Sequence, residues 1–181
     1  MRFRSIALPL VVLLTATLIG CGGSDSSPES STTESTADTE QTTTGDVDRT
    51  VTIQPKGNQM KYKQTEFTVA PGETIKLVFE NTATSPSMQH NVVVLESNEE
   101  SLFRSVGEKG TQAGSTNDYI PQEESLQEKI IAHTAMSKPG ETVEVTFTVP
   151  EETGEYGYVC TFPGHWATMQ GTMYVKEGGA A

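Results

Sequence analysis

The sequence of 181 residues has few cysteines, few histidines and few basic residues. Its two cysteines cannot form a disulfide-rich scaffold or a zinc site with four cysteine ligands. Its three histidines are too few for a multicopper oxidase or a di-iron centre. The 12 lysines and arginines are outnumbered by 24 aspartates and glutamates. The net charge of −12 argues against a nucleic-acid-binding protein, because such a protein needs a basic surface to displace the counterions of the phosphates.

Long apolar runs are also scarce, with one exception at the N-terminus. Arg2 and Arg4 precede an apolar run from Ile6 to Ile19. This run is too short to span a bilayer comfortably, and it has the pattern of a signal peptide. No other apolar stretch approaches 18 residues, so we expect no membrane-spanning segment in the mature chain. The predicted signal peptide covers residues 1–20.

Cys21 stands directly after this run, within the sequence LIGC at 18–21. This string resembles the lipobox of bacterial lipoproteins. The resemblance implies cleavage before Cys21 and acylation of both its thiol and the new amino terminus. Several acyl chains, each contributing about 0.8 kcal/mol per buried methylene, form a stable anchor. We therefore expect an exported protein of the bacterial cell envelope, lipid-anchored to a membrane on its periplasmic or extracellular face.

Residues 21–48 are predicted to be a tether. Of the 21 residues from Ser24 to Thr44, 13 are serine or threonine, and none is aromatic. Such a segment cannot bury enough apolar surface to compensate for the entropy lost on ordering. The sequence thus predicts a disordered, lipid-anchored segment that leads to one folded domain at 49–181.

The folded domain is predicted to consist mainly of strands. Apolar and polar residues alternate with a period of two, which is typical of strands with one buried face. Proline–glycine pairs at 71–72 and 139–140 mark turns. We expect strands at about 50–54, 67–70, 74–80, 91–95, 129–133, 143–149, 156–160 and 172–176. Eight short strands separated by turns predict an all-β domain, an antiparallel sandwich or barrel.

One segment departs from this alternation. Residues 97–100 fit the Ser-x-x-Glu capping box, and three apolar residues follow with the spacing of one helical face. Gly107 is the predicted end of this helix. We therefore expect a short helix at about 98–106 and a polar loop to about Leu126. This segment is interpreted as an excursion between two strands and not as a second domain.

The segment CTFPGHWATM at 160–169 contains Cys160, His165 and Met169, and it begins where a predicted strand ends. His90 lies upstream, just before another strand. A thiolate, two imidazoles and a weak axial thioether form the ligand set of a blue-copper electron-transfer site. The soft thiolate suits Cu(I), imidazole binds both oxidation states, and the weak axial ligand disfavours the tetragonal geometry of Cu(II). These four residues are therefore candidate ligands of such a site.

The string C-T-F-P-G-H-x-x-x-M at 160–169, together with H-N at 90–91, closely resembles the azurin and auracyanin group of the blue copper (cupredoxin) family. The resemblance covers most of residues 49–181. It implies a Greek-key β-sandwich with one short helical excursion. It also implies an electron carrier with one type 1 copper per chain, held by His90, Cys160 and His165 with Met169 as the axial ligand.

The resemblance further implies roles for residues beside the ligands. It places Asn91 and the backbone N–H of Phe162 around the Cys160 sulfur, where such contacts tune the potential and orient the ligands. Azurins have a glycine before the first histidine ligand, and its carbonyl is a distant ligand of the copper. Gln89 stands at that position here, and its backbone carbonyl is a candidate weak ligand.

A docking surface for redox partners is implied as well. Met88 and Trp166 flank the two histidine ligands, and they are expected to form an apolar rim around an exposed edge of His165. His133, the remaining histidine, is predicted not to bind the metal. Met60 is assigned to packing because it lacks the spacing of the motif.

These features predict a membrane-tethered single-electron carrier, not an enzyme, that cycles between Cu(II) and Cu(I). Its expected partners are redox proteins such as cytochromes, an oxidase or a photosynthetic electron-transfer complex, with no nucleic acid. A binuclear copper site would need a second cysteine in the metal loop, and residues 161–164 contain none. A copper storage or delivery lipoprotein is the alternative function. Proteins of that kind favour exposed methionine and histidine clusters, whereas the ligands here are expected to form one closed site.

Overall fold

A computed structural model of the protein describes residues 46–178, which form two β-sheets and three helical segments. The predicted signal peptide, Cys21 and most of the tether lie outside the described residues. Within 46–178, no helix combines the length and apolar character needed to cross a membrane. Asp48, the last residue of the predicted tether, already contacts the domain, because its backbone N–H donates to the Thr74 carbonyl at 2.9 Å.

The described residues contain the eight predicted strands and a longer helix than predicted. The strands are β1 Arg49–Ile53, β2 Glu66–Val69, β3 Thr74–Glu80, β4 Val93–Leu95, β5 Ile130–His133, β6 Thr142–Thr148, β7 Gly154–Val159 and β8 Gln170–Val175. The helices are α1 Glu100–Ala113 and α2 Glu124–Gln127, with a 3₁₀ turn at Ser115–Asn117 between them.

The strands form a three-stranded sheet in the order β1-β3-β6 and a five-stranded sheet in the order β2-β8-β7-β4-β5. Two pairs, β1 with β3 and β2 with β8, are parallel, so the expectation of purely antiparallel sheets was wrong. For β1 and β3 the reason lies in the connection between them. The chain leaves their sheet to form β2 in the other sheet, and it then returns so that β3 runs in the same direction as β1. The result is the predicted Greek-key β-sandwich, with mixed sheets.

The core lies between the two sheets and follows from the alternation in the sequence. In β3, Ile75, Leu77 and Phe79 are buried while the residues between them are half-buried. Met173 and Val175 of β8 meet them in the same apolar cluster, so both sheets contribute one face to a common core. Burial of each side chain of this size contributes about 1.5–3 kcal/mol.

The beginning of α1 differs from the sequence prediction. The residue before the helix is Glu99, and no side chain caps the helix there. Ser97, the predicted cap, lies outside the helix, and its carbonyl accepts a hydrogen bond from the backbone N–H of Gly157 at 3.1 Å. The capping box is therefore not formed, because Ser97 is used in a long-range contact with β7.

The end of α1 also differs, since the helix continues past Gly107 to Ala113. A Cβ atom at Gly107 would lie 2.1 Å from Cγ of Trp166, and one at Gly110 would lie 2.2 Å from the Tyr119 carbonyl oxygen. Real atoms do not approach so closely, so both glycines allow neighbouring segments to contact the helix backbone. Gly107 is therefore a packing glycine and not a helix terminator.

Candidate metal centre

The sandwich brings two loops together at one of its ends. The strands β4 and β7 are antiparallel neighbours, so the residues that precede β4 lie beside the residues that follow β7. His90 belongs to the first group and Cys160 to the second. The backbone around His90 is fixed by Ser137, with N–H to carbonyl distances of 3.0 and 2.8 Å in the two directions.

Three potential ligand atoms converge in this place. Nδ1 of His90 lies 3.1 Å from Nδ1 of His165, and Sγ of Cys160 lies 3.8 and 3.7 Å from these two nitrogens. The centre of a circle through the three atoms is about 2.1 Å from each of them, which is a normal length for bonds from a metal to nitrogen or sulfur. The donor triangle thus has the size that a metal ion requires. No aspartate or glutamate joins this group in the part of the chain that the structure describes.

A short, internally bonded loop holds Met169 near this triangle. The His165 carbonyl accepts the backbone N–H groups of Thr168 at 3.0 Å and Met169 at 2.8 Å, and the Met169 carbonyl accepts the N–H of Cys160 at 3.0 Å. The Met169 side chain is fully buried in the same apolar cluster as Cys160. The loop backbone therefore fixes Cys160, His165 and Met169 relative to one another.

The site is closed to water and favours a bound cation. His90 and Cys160 are completely buried, and His165 is 3% exposed. Burial raises the pKa of the Cys160 thiol to about 12, although backbone hydrogen bonds from Asn91 and Phe162 act in the opposite direction. Burial, and then the nearby His165, lowers the pKa of His90 to about 4. Two neutral imidazoles and a soft sulfur, with their donor atoms directed at one point, form a donor set suited to copper.

Hydrogen bonds from Asn91 connect the two loops. Its Oδ1 accepts the backbone N–H of Thr161 at 2.9 Å, and its Nδ2 donates to Thr161 Oγ1 at 2.8 Å and to the Asp118 carbonyl at 3.3 Å. The Asn91 carbonyl accepts the hydroxyl of Tyr62, which is buried, at 2.6 Å. The sequence motif indicated Asn91, but Thr161, Asp118 and Tyr62 were missed because only the fold brings them to it.

Three further residues singled out in the sequence, Phe162, Gln89 and His133, are also described by the structure. Phe162 is half-buried, and its ring centroid is 4.8 Å from that of His165. Gln89 immediately precedes His90 and is half-buried. His133 lies on β5, outside the donor group, and its Nδ1 is 3.3 Å from the Thr134 carbonyl oxygen.

Two apolar residues near the metal loop have surroundings that the sequence did not indicate. Trp166 packs against Gly107 of α1, so much of its ring faces the helix. Met60, assigned to packing from the sequence, is 43% exposed. Its carbonyl accepts the hydroxyl of Thr168 at 3.0 Å, which attaches it to the metal loop. Sequence spacing gave no signal for Met60 because it is far from the motif along the chain.

Comparisons with known proteins agree with this site. The sequence profile of the copper binding proteins of the plastocyanin/azurin family matches residues 49–176. Auracyanin-A from Chloroflexus aurantiacus is 34% identical over 173 residues, which cover 96% of this chain and 97% of that protein. Azurin from Alcaligenes faecalis is 40% identical over 110 residues, which cover 60% of this chain and 77% of that protein. The solved structure of auracyanin A, a "blue" copper protein from Chloroflexus aurantiacus, has a TM-score of 0.63 at 37% identity, covering 70% of this chain and 98% of that one.

Proposed function

Since this chain belongs to the plastocyanin/azurin family of copper-binding proteins, we propose that it is a membrane-tethered carrier of single electrons between redox proteins. The observation that carries the proposal is the buried triangle of His90 Nδ1, Cys160 Sγ and His165 Nδ1. Met169, on the same loop, would be the fourth residue to hold the copper. Copper at this site supplies reversible one-electron exchange between Cu(II) and Cu(I).

The protein's own contribution is to keep the ligands in place. The loop bonds within 160–169 and the Asn91 bonds between the loops hold the donor atoms in one arrangement. A site that does not rearrange when its charge changes has a small reorganisation cost. Complete burial of Cys160 also keeps water from the sulfur. Both features favour rapid electron exchange over chemical turnover, so we do not propose an enzyme.

Partner proteins are proposed to dock on a neutral surface around His165, formed by residues 57–60, 82–88 and 161–169. None of these three segments contains a charged residue, although the chain carries a net charge of −12. They are tied together: Asn58 Oδ1 accepts the backbone N–H groups of Thr84 and Ser85 at 2.9 and 3.0 Å, and Thr168 bonds to the Met60 carbonyl. Docking on such a surface desolvates few charges and permits fast release.

Met60 and Met88 are the apolar side chains that we assign to this neutral surface. Met60 is exposed and Met88 is half-buried. Trp166 was predicted to share this role, and we place it at the border of the surface because it packs against Gly107. The guanidinium of Arg104, 6.0 Å from the centroid of the Trp166 ring, is a charge at this border. Because the three segments themselves carry no charge, the electron-transfer rate should depend only weakly on ionic strength, in contrast to partners that are steered by charge.

The membrane tether is proposed from the sequence. The lipobox-like LIGC at 18–21 and the serine- and threonine-rich segment after it support an acylated Cys21. An anchor at Cys21 would keep the domain close to partners in or near the membrane of the cell envelope. Replacement of Cys21 by serine should release the protein from membrane fractions, and an unchanged distribution would contradict the anchor.

A copper storage or delivery function is the alternative. A delivery protein must expose its ligands so that another protein can take the metal. The donors here are buried, so the site favours retention of copper.

The decisive experiment is an absorption spectrum of the copper-loaded full chain before and after ascorbate. We expect one copper per chain, an intense blue colour in the oxidised protein, and loss of the colour on reduction. The colour arises from thiolate-to-copper charge transfer, so Cys160→Ser should abolish it while a control, Met173→Leu in the core, should retain it. A colourless one-to-one copper complex of the unmodified chain would refute the proposal.

A further inference from the structure

A turn outside the ligand loops has an unusual backbone. Asp118 and Tyr119 are consecutive, and both have positive φ angles, 49° and 56°. They are the only residues other than glycine with positive φ in the described part of the chain. The left-handed region is unfavourable for residues with a Cβ atom, and such conformations persist only where the surroundings enforce them. Two consecutive residues with positive φ therefore indicate that contacts with the rest of the domain hold this turn in a fixed position.

The surroundings of the turn show how it is enforced. The backbone N–H groups of Asp118 and Tyr119 donate to the carbonyls of Ser115 and Gly114 at 3.2 and 3.0 Å. Ile120, the next residue, is 7% exposed and packs in the apolar cluster beneath α1. Gly110 of α1 lies directly against the Tyr119 carbonyl, where no larger residue would fit. The turn is therefore held in place by its contact with α1 and by its own backbone hydrogen bonds.

On the side away from α1, the turn contacts two residues next to the metal centre, Asn91 and Phe162. The Asp118 carbonyl accepts the hydrogen bond from Asn91 Nδ2 at 3.3 Å. The Tyr119 ring meets the Phe162 ring edge to face, with centroids 5.4 Å apart and planes at 67°. Asn91 in turn holds Thr161, the neighbour of Cys160, through two hydrogen bonds, and the Phe162 ring centroid lies 4.8 Å from that of His165. The backbone N–H groups of Asn91 and Phe162 are also those that act to lower the pKa of the Cys160 thiol.

We propose that the Asp118–Tyr119 turn is a positioning element that holds Asn91 and Phe162 so that their backbone N–H groups stay directed at the Cys160 sulfur. Neither residue contacts the sulfur itself. Asp118 acts through its backbone carbonyl and Tyr119 through its ring. The inference rests on the proposed function, because the sulfur is the copper ligand in that proposal.

The consequence concerns the two oxidation states. Hydrogen bonds to a sulfur ligand stabilise negative charge on it, and the sulfur carries more of that charge when the copper is reduced. If the N–H groups of Asn91 and Phe162 are held less firmly towards the sulfur, the reduced state loses more stabilisation than the oxidised state. The reduction potential should therefore fall. Partners that orient metal ligands in this indirect way typically change metal affinity by about 10–100-fold when they are removed.

The test uses the full-length, copper-loaded chain with Tyr119→Ala and, should that variant fold poorly, Tyr119→Leu. Tyr119→Phe is the conservative rescue, because it retains the ring. Tyr174→Ala is the matched control: this tyrosine is half-buried on β8, and its ring lies under Lys176 and not near the metal loop. Each variant is measured for reduction potential, thiolate-to-copper absorption, copper affinity and, in the metal-free chain, amide hydrogen exchange at Asn91 and Phe162.

We expect Tyr119→Ala to retain the blue colour with a shifted absorption band, a lower reduction potential and copper affinity reduced by about 10–100-fold. Amide exchange at Phe162 should become faster in the metal-free chain. Tyr119→Phe and Tyr174→Ala should match the unmodified protein in all four measurements. Asp118→Gly should also match it, since glycine keeps the carbonyl and adopts positive φ without strain.

Two results would overturn the inference. One is a Tyr119→Ala variant with unchanged potential, affinity and amide exchange. The other is an equal fall in potential for Tyr119→Ala and Tyr174→Ala, which would indicate general destabilisation. Failure of the proposed function is a separate outcome, namely a colourless unmodified chain. The amide exchange of the metal-free chain would then still decide whether the turn positions Asn91 and Phe162.

Discussion

Gly107→Ala should destabilise the protein, although the same change usually stabilises a helix. In the interior of an exposed helix, alanine is better than glycine by about 0.8–1.0 kcal/mol. At Gly107 the new methyl group would lie 2.1, 2.4 and 2.5 Å from Cγ, Cβ and Cδ1 of Trp166. Inserting a methyl group into such a packed contact costs about 1–3 kcal/mol. A separation of 2.1 Å is far shorter than any normal carbon–carbon contact, so we expect the upper part of this range, about 2–3 kcal/mol. Less the gain in helix propensity, the net loss in the free energy of unfolding is about 1–2 kcal/mol.

The assay is denaturant unfolding of the metal-free chain, so that copper binding does not contribute to the measured stability. A second background separates the clash from other effects. Because Cβ of Trp166 itself would be 2.4 Å away, alanine at position 166 would not remove the overlap, and the background must be Trp166→Gly. There, Gly107→Ala should be stabilising by up to about 1 kcal/mol, as helix propensity predicts. A neutral or stabilising effect of Gly107→Ala in the unmodified chain would refute the close contact between α1 and the metal loop.

Three further predictions concern the metal, the docking surface and pH. Met169→Leu should retain copper and raise the reduction potential, because a weak axial thioether stabilises Cu(II) more than Cu(I); loss of the copper, measured by metal analysis, would contradict a weak ligand. Met60→Asp should slow electron self-exchange while the absorption spectrum stays unchanged, and an equal rate would place the docking surface elsewhere. Burial lowers the pKa of His90 from 6.5 to about 4, so the unfolded chain binds more protons between these values. The stability of the metal-free chain should therefore be complete above pH 6.5 and decrease as the pH falls towards 4; a flat unfolding profile over this range would show that His90 is not held neutral.

The local patterns of the sequence were sufficient for the strands, and they indicated three residues that the structure brings together. Alternation at 74–80 predicted the buried face of β3, because a half-buried strand needs no more than a period of two. The spacing of Cys160, His165 and Met169 placed three candidate ligands on one loop, and the structure brings His90 together with Cys160 and His165.

What the sequence could not indicate depends on contacts between distant segments. Gly107 resembles a helix terminator when only its neighbours are considered, and Trp166 explains its presence only after the loop is packed on α1. The parallel pairing of β1 with β3 depends on which sheet contains β2. Asp118 contacts Asn91 across 27 positions of the chain, a separation at which single-sequence patterns carry no signal.

The separation between the donors along the chain has a consequence for folding stability. Cys160 lies 70 positions after His90. It is the only cysteine in the described residues, so no disulfide joins distant segments of this part of the chain. A metal that stays bound to both residues in the unfolded chain closes a loop that contains all of β4, α1, α2, β5, β6 and β7. In the chain-entropy description of cross-links, a closed loop of this length restricts the unfolded chain by about 4 kcal/mol. The metal should thus serve this domain as a reversible cross-link, whose removal lowers the melting temperature by loosening the unfolded chain.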